Sequence, residues 1–465
     1  MIFRRHLLAT PALLLPAAAL AQTAPAVKQD DWVAPDYRRD MLIRWGDRVT
    51  FDAPPFDPGQ VDAEGAGAQF GWDARIAALV VPPDAADRVP RGVLAVAHPT
   101  VNAAMAFPGG VDRPDVAVNM QGASLLNVEL QGGRWIVVDG GFQSRRLTAG
   151  NLCRASGPLV EQSGSALRGL LAVTGGTATP WGTLLLTEGD AAPWLSRMAG
   201  LGRPEAFGWL VELDPLDPQS IPVKHTALGR FPKADAAAAA ARGGQAVVFL
   251  AEEGPAGYLY RFVSSAPASG GSALEAGSLA VAQFQGGRLN WLTIPEGGLA
   301  NVSEAARQAG GTPFDAPSGL AWDPQSGRLH ACGGFGVLTL TPDGGDPASN
   351  SMSGAALGTA ALGRIATVAV DGRGRLLLGT DTNGVVGATA QTLWLADRGS
   401  MSPLYGVARA AGIGGAAVSP DGRVIFTVAR RPGAERGASF DRPSTRWPQF
   451  EPGVPPRSAL ISLTR

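Results

Sequence analysis

Three stretches of the C-terminal half share one build: LAWDPQSGRLHAC from Leu320, VAVDGRGRLLLGT from Val368 and AAVSPDGRVIFTV from Ala416. Each reads as a strand, a tight turn, Gly-Arg and a second strand. The Gly-Arg pairs begin at Gly327, Gly374 and Gly422, at separations of 47 and 48 residues. A hairpin returning every ~40–50 residues is the period of a β-propeller blade, a unit that buries its apolar faces only by stacking on its neighbours. Short apolar stretches of strand length also recur upstream, starting at Arg75, Gly92, Arg134, Gly182, Gly208, Ala246, Gly257 and Gly277. All are bounded by Gly, Pro, Asp or Asn, the pattern of many-stranded antiparallel structure. The expected fold is all-β, a β-propeller of about six blades with short helical insertions, and a β-sandwich with similar hairpins is the alternative. Two insertions read as helical: ADAAAAAARGG near Ala234, and NVSEAARQAGG from Asn301, where Asn301 or Ser303 could cap and Gly310 could stop the helix.

Sixty-two Gly and 37 Pro beside a hydrophobic fraction of 45% supply many turns between segments apolar enough to fold. Thirty-nine Lys and Arg against 40 Asp and Glu leave a net charge of -1 and no basic field, which excludes nucleic-acid binding. The first residues, MIFRRHLLATPALLLPAAALAQTAPA, combine Arg4 and Arg5, an apolar run and Ala19-Leu20-Ala21, as in an export leader. An ordinary secretory leader and a twin-arginine leader both remain open. The chain then divides into a leader at 1–21, a Pro-rich lead-in at 22–65 and one propeller domain at 66–465. With no later apolar run of about 18 residues, no membrane span is expected. The mature protein is expected in the periplasm or outside the cell, as a monomer. Cys153 and Cys332 permit one disulfide and require none, and their spacing is not that of a zinc site.

Several segments, in order along the chain, resemble the PhoX-type alkaline phosphatase family, exported calcium- and iron-dependent phosphoesterases built on a β-propeller. FGWDARIAALVV from Phe70 is similar to an early strand of that family, and GVLAVAHPTVN from Gly92 to its segment ending in Asn-His-Glu-Tyr. RWIVVDGGFQSRRLTAG from Arg134 resembles its Asn-Arg-Arg-Ile-Thr element, and GGTATPWGTLLLTEGD from Gly175 its Thr-Pro-Trp-Gly-Thr segment leading to Thr-Cys-Glu-Glu. FGWLVELDPLDP from Phe207, KHTALGRF from Lys224, GYLYRFV from Gly257 and the tail from Arg430 to Leu463 continue the likeness.

The resemblance implies a centre of carboxylates for calcium, with a thiolate and carboxylates for iron, converging on the propeller channel. Measured against it, Thr187 replaces the family cysteine, Gly189 the second glutamate and Pro99 the glutamate after His98. Lys233 and Ala234 replace His-Glu, Ala316-Pro317-Ser318 replaces Arg-Pro-Glu, and Ala429-Arg430-Arg431-Pro432-Gly433-Ala434 replaces Gln-His-Pro-Gly-Glu, with Glu435 one place late. Glu188, Glu252, Glu253 and Asp381 are retained and, with His98, form the candidate metal set. Calcium is the metal to expect, and iron is disfavoured because a neutral Thr187 hydroxyl is a poor ligand beside a thiolate.

His98, a lone histidine at a strand end, reads first as structural. Glu252 and Glu253 are adjacent, so on a strand only one of them can enter the channel. Arg145 and Arg146 are candidate contacts to a phosphate or partners of carboxylates, with pairing favoured. No GxSxG elbow and no phosphate loop occurs. The expected function is a propeller with a degenerate phosphomonoesterase site, non-catalytic or binding a small molecule or phosphate ester. The alternative is an active phosphoric ester hydrolase using a reduced, calcium-centred ligand set.

Overall fold

The computed structural model describes residues 23–83 and 87–465. The leader expected at 1–21 lies outside the described residues. Most strands fall into six four-stranded groups, blades 1 to 6, and Arg288–Thr293 pairs with the outer strands of blades 3 and 4 and joins them into one sheet. Blade 1 runs outward through Arg75–Val80, Arg91–His98, Gly122–Gln131 and Arg134–Val137, and blade 2 through Val173–Ala178, Leu184–Glu188, Leu210–Leu213 and Val223–His225. Blade 3 comprises Lys233–Ala240, Gln245–Glu252, Leu259–Pro267 and Gly277–Gln285. Blade 4 comprises Gly319–Asp323, Arg328–Gly333, Gly336–Pro342 and Ser351–Leu357. Blade 5 comprises Ile365–Val370, Leu376–Thr380, Thr392–Asp397 and Ser400–Gly406. Blade 6 takes Gly412–Val418, Val424–Arg430 and Ala459–Thr464 from the end of the chain and its outer strand, Arg38–Arg44, from the beginning. Each innermost strand packs against the next, and that of blade 6 returns to that of blade 1, so the propeller closes.

The repeat seen in the sequence falls on one structural position. Gly327, Gly374 and Gly422 occupy the turn between the first and second strands of blades 4, 5 and 6, with φ of +64°, +72° and +70°. A β-carbon disfavours that left-handed conformation, which is why the turn keeps glycine. The apolar sides of the blades meet in the spaces between them: Phe249 of blade 3 stacks on Trp322 of blade 4 at 5.7 Å, and Leu186, Val248 and Phe262 join one cluster spanning blades 2 and 3.

Val302–Ala309 is a helix ended by Gly310 in the left-handed conformation, and Asn301 stands at its N-cap without a side-chain capping bond. The helix expected near Ala234 is instead a strand, Lys233–Ala240, the innermost of blade 3, buried at every residue but the last. Alanine's intrinsic preference for helix amounts to well under ~1 kcal/mol per residue, and ladder bonds to Gln245–Glu252 with burial on both faces outweigh it. Small side chains also suit the crowded axis. The lead-in is woven into the propeller, since Trp32–Val33 pairs with Ser400–Gly406 while Arg38–Arg44 pairs with Ala459–Thr464. Cys153 and Cys332 are buried free thiols. Among the described residues no helix is long and apolar enough to cross a membrane.

Candidate functional site

One construction repeats around one face of the propeller. In each blade the second strand ends where the first begins, pairing Arg75 with Ala97, Val173 with Glu188, Lys233 with Glu252, Gly319 with Cys332, Ile365 with Thr380 and Gly412 with Arg430. A bulge interrupts the ladder near this junction in blades 1, 2, 3, 5 and 6. Bulges turn a strand locally and re-aim its side chains, a common device beside functional sites. His98, Glu188, Glu252 and Asp381 all stand at or just beyond the end of a second strand. These four candidates therefore lie on one face of the ring, each delivered by a different blade, with Glu253 following Glu252 in blade 3.

On that face lies a cavity of about 1030 Å³. Arg75 from blade 1 reaches its floor, where Nη2 donates to the carbonyls of Ser318 and, at 3.5 Å, of Ala366, and stands 3.6 Å from Asp235 Oδ2. Arg75 also lines a narrower cleft of about 160 Å³. Burial raises the Asp235 carboxyl pKa, and Arg75 only partly opposes this. Glu253, Asp315, Phe335 and Arg364 complete the charged and aromatic lining.

The candidate ligands do not converge. Glu188, fully buried, accepts from Lys224 Nζ at 2.8 Å and from the backbone N–H groups of Leu171 at 3.2 Å and Trp209 at 3.1 Å. Thr187 Oγ1 lies 3.0 Å from Thr174 Oγ1. Lys233 Nζ is enclosed by the carbonyls of Gly208, Gly229 and Phe231 at 2.7, 2.9 and 3.2 Å and lies 3.8 Å over the Phe231 ring. Burial lowers its pKa to about 7 against the pull of Glu188 and Glu252. Of the adjacent glutamates, Glu252 turns away and accepts from Tyr260 Oη at 2.6 Å and from Ser303, whereas Glu253 lines the cavity, one oxygen bound to Asp190 N at 2.9 Å.

Asp381 is held in a network that sequence reasoning missed. Its Oδ2 accepts from Arg430 Nη1 at 3.1 Å and Arg431 Nη2 at 2.6 Å, and Arg430 also grips Asp73 through Nε at 2.9 Å and Nη2 at 2.7 Å. Burial alone would raise the Asp73 carboxyl pKa, but Arg430 and then Arg431 hold it at about 2. The signal for this network was the Arg430-Arg431 doublet standing where the family tail differs. Asp73 carried none, being one acid in an apolar stretch.

His98 is wholly buried, with Nδ1 at 2.5 Å from the Asp73 carbonyl and Nε2 at 2.7 Å from Ser124 Oγ. Burial, reinforced by Arg146, drives its pKa well below the usual value, so it is a neutral structural group. The pairing expected of Arg145 and Arg146 with carboxylates is corrected, because neither makes an ion pair among the described residues. Arg145 donates to the carbonyls of Gln143 and Asp214, while Arg146 donates to Ser124 Oγ and the carbonyls of Asn119 and Gln121. Both therefore bond to backbone carbonyls from separate segments, and burial lowers the Arg146 pKa to about 9. Among the described residues no group of three or more His, Cys, Asp or Glu side chains is placed to enclose a metal ion.

This geometry has a known architectural counterpart. The chain is similar to Pseudomonas fluorescens PhoX, solved in complex with vanadate as a transition-state analogue, with a TM-score of 0.86 and 23% identity over 96% of this chain and 97% of that one. A gluconolactonase from Xanthomonas campestris aligns over 96% of this chain and 99% of that one at 10% identity, with a TM-score of only 0.40. No curated protein sequence matches. The sequence profile of alkaline phosphatase PhoX matches residues 19–355. With more than half of its length matched by that profile, the chain belongs to the PhoX alkaline phosphatase family.

Proposed function

We propose that this chain is an exported, non-catalytic, ligand-binding member of its family, with basic side chains of its own standing where a metal-dependent phosphomonoesterase centre is expected. The observation that carries this reading is the neutralisation of two of the retained carboxylates by internal cations, Glu188 by Lys224 and Asp381, together with the neighbouring Asp73, by Arg430 and Arg431. A calcium site asks for about 6–8 converging oxygens, and an iron site of the family type asks for a thiolate. Here the carboxylates point to separate partners, and the hydroxyl of Thr187 faces Thr174. These side chains do not fit a calcium and iron centre. At the cavity, Ala316 and Ser318 are short where the family has arginine and glutamate, which leaves room for a ligand while removing charge that would stabilise a phosphoryl transition state.

The experiment is p-nitrophenyl phosphate hydrolysis by the mature protein, supplied with calcium and iron. Hydrolysis at the uncatalysed rate is expected. Enzyme-like turnover that disappears in Glu188→Gln would overturn the reading.

One observation favours a second reading, a hydrolase with a reduced, calcium-centred set: Glu253 opens on the cavity with Oε1 unpartnered among the described residues. Calcium would then raise the melting temperature through linkage, and a melting temperature unmoved by calcium removes this alternative.

A further inference from the structure

The large cavity is bordered by charges of both signs, Arg75, Arg364, Glu253 and Asp315, of which only Arg75 is in an ion pair among the described residues, with Asp235 at 3.6 Å. Arg75 is 8% exposed and commits only Nη2 to protein acceptors, leaving Nε and Nη1 without partners among the described residues. Glu253 is near enough for Arg75 to offset part of the rise that burial imposes on its carboxyl pKa, yet no contact within ion-pair distance joins the two. Asp315 and Arg364 also border the cavity, both exposed and neither in an ion pair among the described residues. Phe335 lies in the same wall, its ring 5.5 Å from that of Phe314. At Gly334 a β-carbon would stand 2.3 Å from an Asp315 carboxylate oxygen, so the glycine keeps that carboxylate free of a neighbouring side chain.

Two guanidinium groups and two carboxylates in one concavity select against ligands of a single sign. A simple anion gains from the arginines what it loses to the carboxylates, and a simple cation meets the converse. A molecule carrying both charges gains at each end. Arginine offers a planar fork that a carboxylate matches in bidentate fashion, and carboxylates beside an aromatic ring suit an ammonium group. The volume of about 1030 Å³ exceeds the needs of one amino acid and leaves room for a few linked residues.

We propose that this cavity binds a small zwitterion, a free amino acid or a short peptide with both termini free, its carboxylate on Arg75 and Arg364 and its ammonium between Glu253, Asp315 and Phe335. The proposal rests on the non-hydrolytic reading of the same site.

The test is isothermal titration of the full mature chain with the proteinogenic amino acids, triglycine and trialanine, alongside N-acetylated and C-amidated triglycine and inorganic phosphate. A member with free termini should bind, and blocking either terminus should weaken it at least tenfold. Glu253→Gln should shrink the discrimination against N-acetylation. Arg364→Gln, a change at an exposed residue, should weaken binding of the free peptide and shrink the penalty of amidation. Equal binding of free and blocked peptides, phosphate binding tighter than any zwitterion, or no binding by any zwitterion in the panel overturns the proposal. Phosphomonoester turnover measured on the same preparation separates the two failures: turnover removes the non-hydrolytic reading, whereas silence in both assays removes only the zwitterion.

Discussion

Replacing Asp73 by asparagine tests the idea that internal cations hold this face together. Asp73 is fully buried and accepts from Arg430 through both oxygens, from Thr100 Oγ1 at 3.0 Å and from Ala74 N at 2.9 Å. Asparagine keeps the shape, removes the charge, and leaves Arg430 with Asp381 as its remaining carboxylate. Breaking one side of a buried pair costs roughly 3–5 kcal/mol, so a loss of that order is expected near neutral pH. The pH dependence is the sharper measure. Asp73 titrates at about 2 in the folded protein against 3.8 for the free group. A depressed folded value means that its stabilisation is complete above the unfolded pKa and drains away as pH falls toward 2. Integrated over that shift, the stability difference between wild type and Asp73→Asn should shrink by about 2 kcal/mol from pH 5 to pH 2. Guanidinium unfolding followed by tryptophan fluorescence at several pH values gives both quantities. A difference that stays constant across this range, or a variant within about 0.5 kcal/mol of wild type at pH 5, would refute the reasoning.

Three further outcomes follow from other parts of the molecule. Lys224→Met alone strands the Glu188 carboxylate and should lower stability by about 3–5 kcal/mol, while the double change with Glu188→Leu should recover most of that loss in calorimetry. Lys233 releases its proton near pH 7 when folded but near 10.5 when unfolded, so the unfolded chain binds more protons between these values and stability should rise with pH across that window. Lys233→Met should flatten this alkaline rise, and an unchanged slope counts against the assignment. Removing residues 23–44 takes away the outer strand of blade 6 and should yield a chain that sediments as aggregate rather than as a folded species.

The architecture was legible because its signals are local. The turn at Gly327, Gly374 and Gly422 needs one residue type at one backbone angle, and the strands beside it are short apolar runs. Lys233–Ala240 was misread for the same reason in reverse: a run of alanines carries a local preference for helix, and the ring of neighbouring blades that overrides it is not written in those residues. The site was legible only as a set of departures. Asp73 and Arg430 are 357 residues apart, and no local pattern announces an ion pair closed across that distance. Nor does adjacency reveal which of Glu252 and Glu253 faces the cavity, because the bulge at Lys233 and Asp235 decides how the strand end is aimed.

The pairing of Arg38–Arg44 with Ala459–Thr464 sets a condition on how this protein can come into being. The early strand is made long before its partner, so throughout synthesis one blade edge stays open, and only near-complete chains can cover it. A chain stopped short, or nicked so that either strand is lost, keeps an unsatisfied edge that invites pairing with other chains or attack by proteases. Ring closure thus serves as an inspection of completeness: the mature shape is granted only to molecules in which these two distant segments are both present and have found each other.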